Sequence, residues 1–486
     1  MKTQFKEIPG SIVAPQGFLA SGVFCDIKRL GTGKGSQRGQ KRDLALIVSE
    51  VPATVAGMFT TNQVCAAPVK ICIERVKKGT AQAIIANSGN ANACTGKQGL
   101  RNAREMTRLT ACAVAANVSS RTNLAGTNSN PRSHERGYEL PAERVLVGST
   151  GRIGVTLPMG NVKRGILEAA KLLGNSSRHA DQAVEASMTS DTRPKQIAVE
   201  FKLGGKTVRI GGICKGAGMI QPGMSATGAR PAALHATMLC FITTDAAIEA
   251  KTLQAALQEA VAQSFNRITV DGDMSTNDTV LVLANGLAGN PSLVAANVSS
   301  RKSALSQARL RDFEIFQAAL SHVCLELAKM IVRDGEGVHR VVTVRVSGAK
   351  TVADADAGAR AVANSPLVKT SWHGGDPNWG RIMGALGYSP AKVVEEKVDV
   401  GYSSTFASDV SARRAGGRKI LWSLRRGQPT KATFKQLCAA VAPKEFDLHI
   451  NLNLGKAGAV MYAADLTEEY VDFNKGDVTD ASSLGG

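Results

Sequence analysis

KGAGMIQPGMSATGARPAALHATMLCFITTD, the stretch from Lys215 to Asp245, ends in an apolar run that is typical of a buried strand. Ala236 and Thr237 come directly before that run. A hydroxyl residue behind a small residue, at the start of a buried strand, suits a nucleophile made by self-cleavage. Cleavage of the Ala236–Thr237 bond would place a free α-amine on the residue that carries the hydroxyl, and this amine is a built-in general base. The stretch therefore predicts a chain that cuts its own backbone.

Size and composition are those of a globular chain with a sizeable core. The chain has 486 residues, of which 43% are hydrophobic. It contains no run of about 18 apolar residues, so no membrane span is expected. The N-terminus MKTQFKEIPG lacks the apolar core of a secretory signal. Nine cysteines include no CxxC pair and no zinc-ligand spacing, which favours free thiols in the cytoplasm.

The net charge of +19 raises the hypothesis of nucleic-acid binding. Much of the excess lies in two segments: Lys28 to Arg42 holds six basic and no acidic residues, and Ala412 to Lys431 holds seven and none. Few aromatic residues lie among them, so neither segment offers a stacking platform for bases. We interpret both as solvated loops and expect no nucleic-acid partner. A weaker hypothesis is that they attract anionic substrates.

Strand and helix patterns interleave without a regular βαβ rhythm, and no GxGxxG or P-loop motif occurs. This predicts a layered α/β architecture with sheets packed between helices. Strands are predicted at 44–48, 82–86, 145–148, 196–203, 207–210, directly after Thr237, and at 280–284, 339–346, 447–452 and 457–463. Helices are predicted at 98–118, 162–173, 180–188, 251–265 and 312–332. Segments predicted to be inserted loops are 31–41, 119–140, 225–235, 295–311 and about 403–426.

Ten sequence blocks, in order along nearly the whole chain, carry a family resemblance. They are APQGF (14–18), FTTN (59–62), NSGNANACTG (87–96), STGRIG (149–154), MTSDT (188–192), DGDMSTNDT (271–279), RDGEG (333–337), ANSPLVKT (363–370), GGDPNWGRI (374–382) and DLTEEYVDFN (465–474). With KGAGMI and ATML…TTDA, they resemble the bifunctional ornithine acetyltransferases (glutamate N-acetyltransferases) of arginine biosynthesis. The resemblance implies a fold similar to the N-terminal-nucleophile hydrolases but distinct in topology.

The same resemblance implies a reaction and an assembly. Acetyl would pass from N2-acetylornithine to glutamate through an acetyl-threonine ester, with no bound cofactor or metal, and acetyl-CoA is permitted as a second donor. Self-cleavage would give an α chain (1–236) and a β chain (237–486) that form one intertwined unit. Two such pairs would associate as a heterotetramer.

Specific residues take roles in this scheme. Thr237 is the predicted nucleophile. A strand that ends in a Thr-Gly turn can aim a hydroxyl and a backbone N–H at one point, and by resemblance Thr150 and Gly151 form the oxyanion hole. Lys215 could face a substrate carboxylate, and Glu336 the distal ammonium of ornithine. By resemblance, the substrate contacts are Thr189, Lys215, Thr237, Glu336, Asn474 and Thr479. The acidic residues Asp271, Asp273 and Asp278 are interpreted as structural turns, since their spacing is not that of a calcium loop.

Departures from the family pattern leave alternatives open. Residues 225–235 are extra and lie on the leaving side of the scissile bond, where they either are tolerated or spoil the strained geometry of cleavage. Thr227, after Ala226, is a rival cut site without an apolar strand behind it. Val338 and His339 replace the family's Ala-Thr, and the chain continues past Thr479. The alternatives are therefore a related self-processing amidohydrolase or aminopeptidase, and an uncleaved inactive homologue.

Overall fold

In the part of the chain that the computed structural model describes (residues 5–28, 41–124, 140–227, 238–294, 304–404 and 420–475), the strands form two sheets. The first contains β1 (Lys6–Glu7), β2 (Phe18–Val23), β3 (Leu44–Thr60), β4 (Thr80–Asn90), β5 (Val145–Arg152), β6 (Lys195–Leu203), β7 (Lys206–Lys215), β8 (Met224–Ser225), β9 (Leu239–Thr244) and β11 (Thr279–Ala284). Their order is β1-β6-β7-β9-β11-β3-β4-β5, and β2 and β8 pair with β3. Only the pairs β9–β11 and β4–β5 are parallel among the described strands of this sheet.

Helices cover both faces of the first sheet. The helices are α1 (Ala67–Val76), α2 (Gly96–Leu124), α3 (Met159–Lys171) and α4 (Ser177–Ser187) on one face, and α5 (Ala250–Ala262) and α6 (Ala304–Arg333) on the other. Successive residues of a strand point to opposite faces, and β9 shows the consequence. Leu239 and Phe241 join the core under α1–α4, whereas Cys240 and Ile242 join the core under α5 and α6.

The second sheet packs against α6 and carries its own helices. Its strands are β10 (Ile268–Thr269), β12 (Val341–Ala349), β13 (Asp399–Ser404), β14 (Leu421–Arg425), β15 (Gln428–Pro429), β16 (Glu445–Asn451) and β17 (Ala457–Ala464), in the order β10-β17-β12-β16-β13-β14-β15. Its other face is covered by α7 (Val352–Asn364), α8 (Pro366–Gly374), α9 (Trp379–Gly387) and α10 (Phe434–Val441), and α11 (Glu468–Phe473) follows the last strand. Sheets therefore lie between helical layers, which confirms the predicted fold class.

Helix α6 is apolar because it contacts both sheets. Its segment Gln307–Arg333 is long and apolar enough to cross a membrane by length and composition. Half of its apolar stretch is buried inside the protein. Phe316, Leu320 and Ile331 are fully buried in the core between the sheets. A core helix of a globular protein meets the same criteria, and this packing accounts for its composition.

Several predicted loops are corrected by the structure. Helix α6 includes 304–311, and α2 includes 119–124, both predicted as insertions. Strands β13 and β14 pair with each other and take up both ends of the predicted insertion 403–426. The prediction of a solvated first basic segment is wrong at its ends, because the Lys28 side chain is buried and its Nζ donates to the Arg42 carbonyl at 2.7 Å. Burial lowers the pKa of Lys28 to about 8, against the attraction of Asp43.

Candidate active site

The C-terminal ends of β5 and β7 bring two of the predicted residues together. Thr150 and Lys215 are both almost fully buried, and Lys215 Nζ donates to Thr150 Oγ1 at 3.2 Å. The hydroxyl hydrogen of Thr150 is therefore directed to another acceptor, as an oxyanion donor requires. The predicted strand end at residue 148 is too early, because β5 continues to Arg152 and both Thr150 and Gly151 lie within it.

Gly151 occupies a position that only glycine fits. Its φ is +126°, and a Cβ there would lie 2.4 Å from the Gly89 carbonyl carbon and 2.6 Å from the Asn90 nitrogen. Both obstacles are backbone atoms of β4, which has an irregular register with β5 at Asn90. The close approach of β4 and β5 fixes the backbone that carries the Gly151 N–H.

Asp191 connects two of the predicted substrate contacts. Its Oδ2 accepts the N–H of Thr189 at 2.9 Å and lies 4.0 Å from Lys215 Nζ. Its Oδ1 accepts the N–H of Gly216 at 2.7 Å and Lys195 Nζ at 2.6 Å. A single carboxylate thus joins the segment after α4 to the end of β7 and the start of β6.

Glu336 and Asn474 form the opposite side of the site. Asn474 Nδ2 donates to Glu336 Oε2 at 3.1 Å, and the Glu336 N–H donates to the Ala217 carbonyl at 2.9 Å. Burial raises the pKa of Glu336, while hydrogen bonds from Ser190 and Asn474 and the charge of Lys215 oppose that rise. Because Ala217 is two residues from Lys215 and Ser190 adjoins Thr189, the Glu336 carboxyl lies in the same site as these residues.

The predicted nucleophile Thr237, the scissile Ala236 and the predicted contact Thr479 lie outside the described residues. Met238, the residue after the predicted nucleophile, is described: its N–H donates to Asp278 Oδ1, and its carbonyl accepts the Thr279 N–H at 3.0 Å. Asp278 Oδ2 is buried without a hydrogen-bond partner among the described residues. Burial raises the pKa of Asp278 well above its usual value, and the Met238 N–H and Lys215 oppose this.

The interpretation of the acidic cluster as structural turns suits Asp271, which accepts the N–H groups of Met219 at 2.6 Å and Ile220 at 2.8 Å. Asp278 instead holds the entry to β9. The rival cut site Thr227 is exposed and follows the short strand β8. Among the described residues, no three His, Cys, Asp or Glu side chains form a group that could hold a metal ion.

Sequence reasoning missed the buried charges behind the site. Lys195 Nζ lies 2.6 Å from Asp191 Oδ1 and 2.5 Å from Asp334 Oδ2, and the side chain of Lys195 is 1% exposed. Asp191 and Asp334 stand inside the MTSDT and RDGEG blocks, and Lys195 follows Asp191 at a spacing of four. In the sequence, the presence of charged residues in or next to the family blocks was therefore the only indication of this buried network.

Comparisons with known proteins identify the family of the chain. The model of the ArgJ family matches residues 28–477. The chain is 42% identical to the "Arginine biosynthesis bifunctional protein ArgJ" of Symbiobacterium thermophilum over 467 residues, which cover 96% of this chain and 98% of that protein. It is 41% identical to the "Glutamate N-acetyltransferase" of Methanocaldococcus jannaschii over 470 residues, which cover 96% of this chain and 98% of that protein. A solved ornithine acetyltransferase from Mycobacterium tuberculosis, complexed with ornithine, is 32% identical with a TM-score of 0.36, and the match covers 46% of this chain and all of that one.

Proposed function

The chain belongs to the ArgJ family, and we propose that it transfers acetyl from N2-acetylornithine to glutamate in arginine biosynthesis. The products are ornithine and N-acetylglutamate. The observation that carries this proposal is the family match along residues 28–477, combined with the hydrogen bond between the buried Lys215 and Thr150 and the electrostatic attraction between Lys215 and the half-buried Glu336. The family match disfavours an amidohydrolase or an inactive homologue.

In the proposed mechanism the chain first cuts itself between Ala236 and Thr237. The freed α-amine has an ordinary pKa of about 7.7–8.0, so a fair share is neutral and basic near pH 7. It takes the proton of the Thr237 hydroxyl as the oxygen attacks the acetyl carbonyl. The negative charge that develops on the carbonyl oxygen is stabilised by the Thr150 hydroxyl and the Gly151 N–H. Collapse breaks the amide bond, the α-ammonium returns its proton to the departing ornithine amine, and acetyl remains on Thr237.

Glutamate then reverses these steps. Its neutral amine attacks the ester carbonyl and passes a proton to the Thr237 α-amine. Collapse breaks the ester C–O bond, the α-ammonium returns that proton to the Thr237 oxygen, and N-acetylglutamate leaves. The hydrogen bond from Met238 to Asp278 supports this scheme, because it holds the nitrogen that is covalently bonded to the Thr237 carbonyl carbon.

Charged and polar side chains provide the proposed substrate contacts. Lys215 receives the α-carboxylate that both substrates carry, and Thr189 binds beside it, whereas Asn474 lies with Glu336 on the opposite side of the site. Glu336 receives the distal ammonium of N2-acetylornithine. Thr479 and Thr237 complete the proposed set of contacts. Acetyl-CoA as a second donor, assembly of two α and two β chains, and a cytoplasmic location are further parts of the proposal.

Intact mass under denaturing conditions tests the self-cleavage step. We expect two fragments, the second beginning Thr-Met-Leu, and a single 50.9 kDa chain without activity for Thr237→Ala. Thr227→Ala is the matched control, since it removes the rival cut site and should leave both fragments and activity unchanged. An unbroken wild-type chain that still turns over substrate would refute the nucleophile.

The transfer itself is tested with acetyl-labelled N2-acetylornithine, with and without glutamate. We expect label in N-acetylglutamate. Release of free labelled acetate in the presence of saturating glutamate would instead indicate a hydrolase, in which water reaches the acyl-enzyme.

A further inference from the structure

Asp191 is a buried carboxylate with four polar neighbours, Thr189, Gly216, Lys195 and Lys215. Its two oxygens accept from Thr189, Gly216 and Lys195 at 2.6–2.9 Å, and Lys215 Nζ lies at 4.0 Å. The Asp191 side chain is 0% exposed and that of Lys215 is 4% exposed. Two of these partners, Thr189 and Lys215, are proposed substrate contacts. Each oxygen of the carboxylate accepts from a protein donor, so Asp191 supports the residues of the site rather than binding substrate itself.

The network continues to the other side of the site. Lys195 bridges Asp191 to Asp334. Asp334 Oδ2 also accepts the N–H groups of Thr192 at 3.0 Å and Arg193 at 3.2 Å. Because Asp334 lies two residues before Glu336, a chain of buried charges connects the Lys215 side of the site to the Glu336 side.

We propose that Asp191 is a positioning residue for the subsite that receives an amino-acid carboxylate: it holds Lys215 and Thr189 in place, keeps Lys215 cationic, and is anchored through Lys195 to the segment that carries Glu336. This inference rests on the proposed function, since it assumes that Lys215 binds a carboxylate. It adds a requirement that the family match does not state, namely that the charge of Lys215 depends on a residue that touches no substrate.

The charges around Lys215 give this dependence a definite sign. Burial lowers the pKa of Lys215; Asp191, Glu336 and Asp278 act against burial, whereas Lys195 acts with it. Burial alone would raise the pKa of Asp191. The charges of Lys195 and Lys215 and the hydrogen bond from the Gly216 N–H instead hold this pKa below its usual value. Asp191 therefore stays ionised and contributes most among the anions that keep the proton on Lys215.

Two substitutions should move the pH profile in opposite directions. Asp191→Asn removes the anion beside Lys215, so the alkaline limb of kcat/KM for acylation by N2-acetylornithine should shift to lower pH. Lys195→Met removes the competing cation, so the same limb should shift to higher pH. On the alkaline side of the shifted limb, Asp191→Asn should raise KM for N2-acetylornithine about tenfold or more, because Lys215 loses its charge there and the substrate carboxylate loses a charged hydrogen-bonding partner.

The matched control is Asp245→Asn at the other end of β9. Asp245 is also a buried carboxylate that accepts backbone N–H groups, those of Arg209 at 2.7 Å and Gln16 at 3.0 Å, although its pKa is raised by burial. It lies outside the proposed site, so this variant should leave the alkaline limb in place. Melting temperature and fragment masses report folding and self-cleavage for every variant.

The outcomes distinguish a positioning role of Asp191 from a purely structural role. A purely structural network would lower the melting temperature of both variants and shift their pH limbs in the same direction or not at all, which would overturn the proposal. One folded variant is sufficient, because the direction of its shift is set by the sign of the charge removed; failure of both to fold would assign the network to folding alone. If the wild-type protein transfers no acetyl, the proposed function fails, and this result is distinct from a wild-type transferase whose variants do not shift.

Discussion

Replacing Gly218 with alanine should weaken recognition of N2-acetylornithine while it leaves the fold almost unchanged. A Cβ on Gly218 would lie 2.3 Å from Glu336 Oε2, 2.5 Å from Cδ and 2.6 Å from Oε1. All three atoms belong to the end of one flexible side chain, so the carboxylate rather than the backbone would move. Because ordinary van der Waals contact begins at 3.4 Å, the carboxylate has to shift by roughly 1 Å.

The shift separates Glu336 from two partners. One is Asn474 Nδ2, which donates to Oε2 at 3.1 Å, and the other is the proposed distal ammonium of the substrate. A hydrogen bond to a charged group contributes about 1.5–3 kcal/mol, and about 1.4 kcal/mol is a factor of ten. KM for N2-acetylornithine should therefore rise roughly 10–150-fold. The free energy of unfolding should change by less than about 1 kcal/mol, since no backbone atom is displaced.

Rapid-quench measurement of the two half-reactions is the assay. KM for acylation by N2-acetylornithine should rise, whereas KM for deacylation by glutamate should change much less, because glutamate has no distal ammonium. Gly384→Ala in α9 is the control, since a Cβ there meets nothing within 4 Å. Equal increases in both KM values, or a large loss of stability, would refute the assignment of Glu336 to the ammonium.

Three further predictions concern single side chains. Thr150→Val should lower the acylation rate about 10²–10³-fold, because it removes one oxyanion donor, and should lower the melting temperature, because buried Lys215 Nζ loses a hydrogen-bond acceptor. Burial raises the pKa of Glu336 above 4.5, so KM for N2-acetylornithine should rise as the pH falls through that raised pKa, and Glu336→Gln should lack this dependence. Burial lowers the pKa of Lys369 from 10.5 to about 8, against Asp271 and Asp465. The unfolded chain then binds the extra proton, so Lys369 should contribute a rise in the free energy of unfolding of up to about 3 kcal/mol between pH 8 and 10.5, which urea titrations measure as the difference in pH dependence between the wild-type protein and Lys369→Met.

Regular sequence patterns predicted much of the fold, and irregular ones did not. The hairpin between β6 and β7 follows from alternation around Gly204 and Gly205, which have φ of +52° and +79°. The predicted strand ends at Val48, because Glu50 and Pro52 interrupt the apolar run there, whereas β3 is longer. The structure continues the strand through an irregular register between Val48 and Ala53, which no periodic pattern encodes.

The site was accessible through family resemblance rather than through periodicity. Lys215 and Thr150 are separated by 65 residues, and Asn474 and Glu336 by 138. The spacing of residues along a chain does not state which strand ends meet, so the resemblance supplied the roles and the structure supplies the contacts. The Asp191–Lys195 pair had a local signal, but the partner that completes it, Asp334, is 139 residues from Lys195.

The position of β9 explains why a cut before Thr237 need not separate the two halves of the chain. Strand β9 lies between β7, which precedes the proposed cut, and β11, which follows it. Its six residues are all buried, and the four from Leu239 to Ile242 alternate between the cores on the two faces of the sheet. Separation would expose both cores and leave the backbone groups on one side of β9 unpaired, whereas cleavage of one bond removes none of these interactions. The new N-terminus would therefore stay anchored through Met238 and Asp278, next to the strand end that carries Lys215.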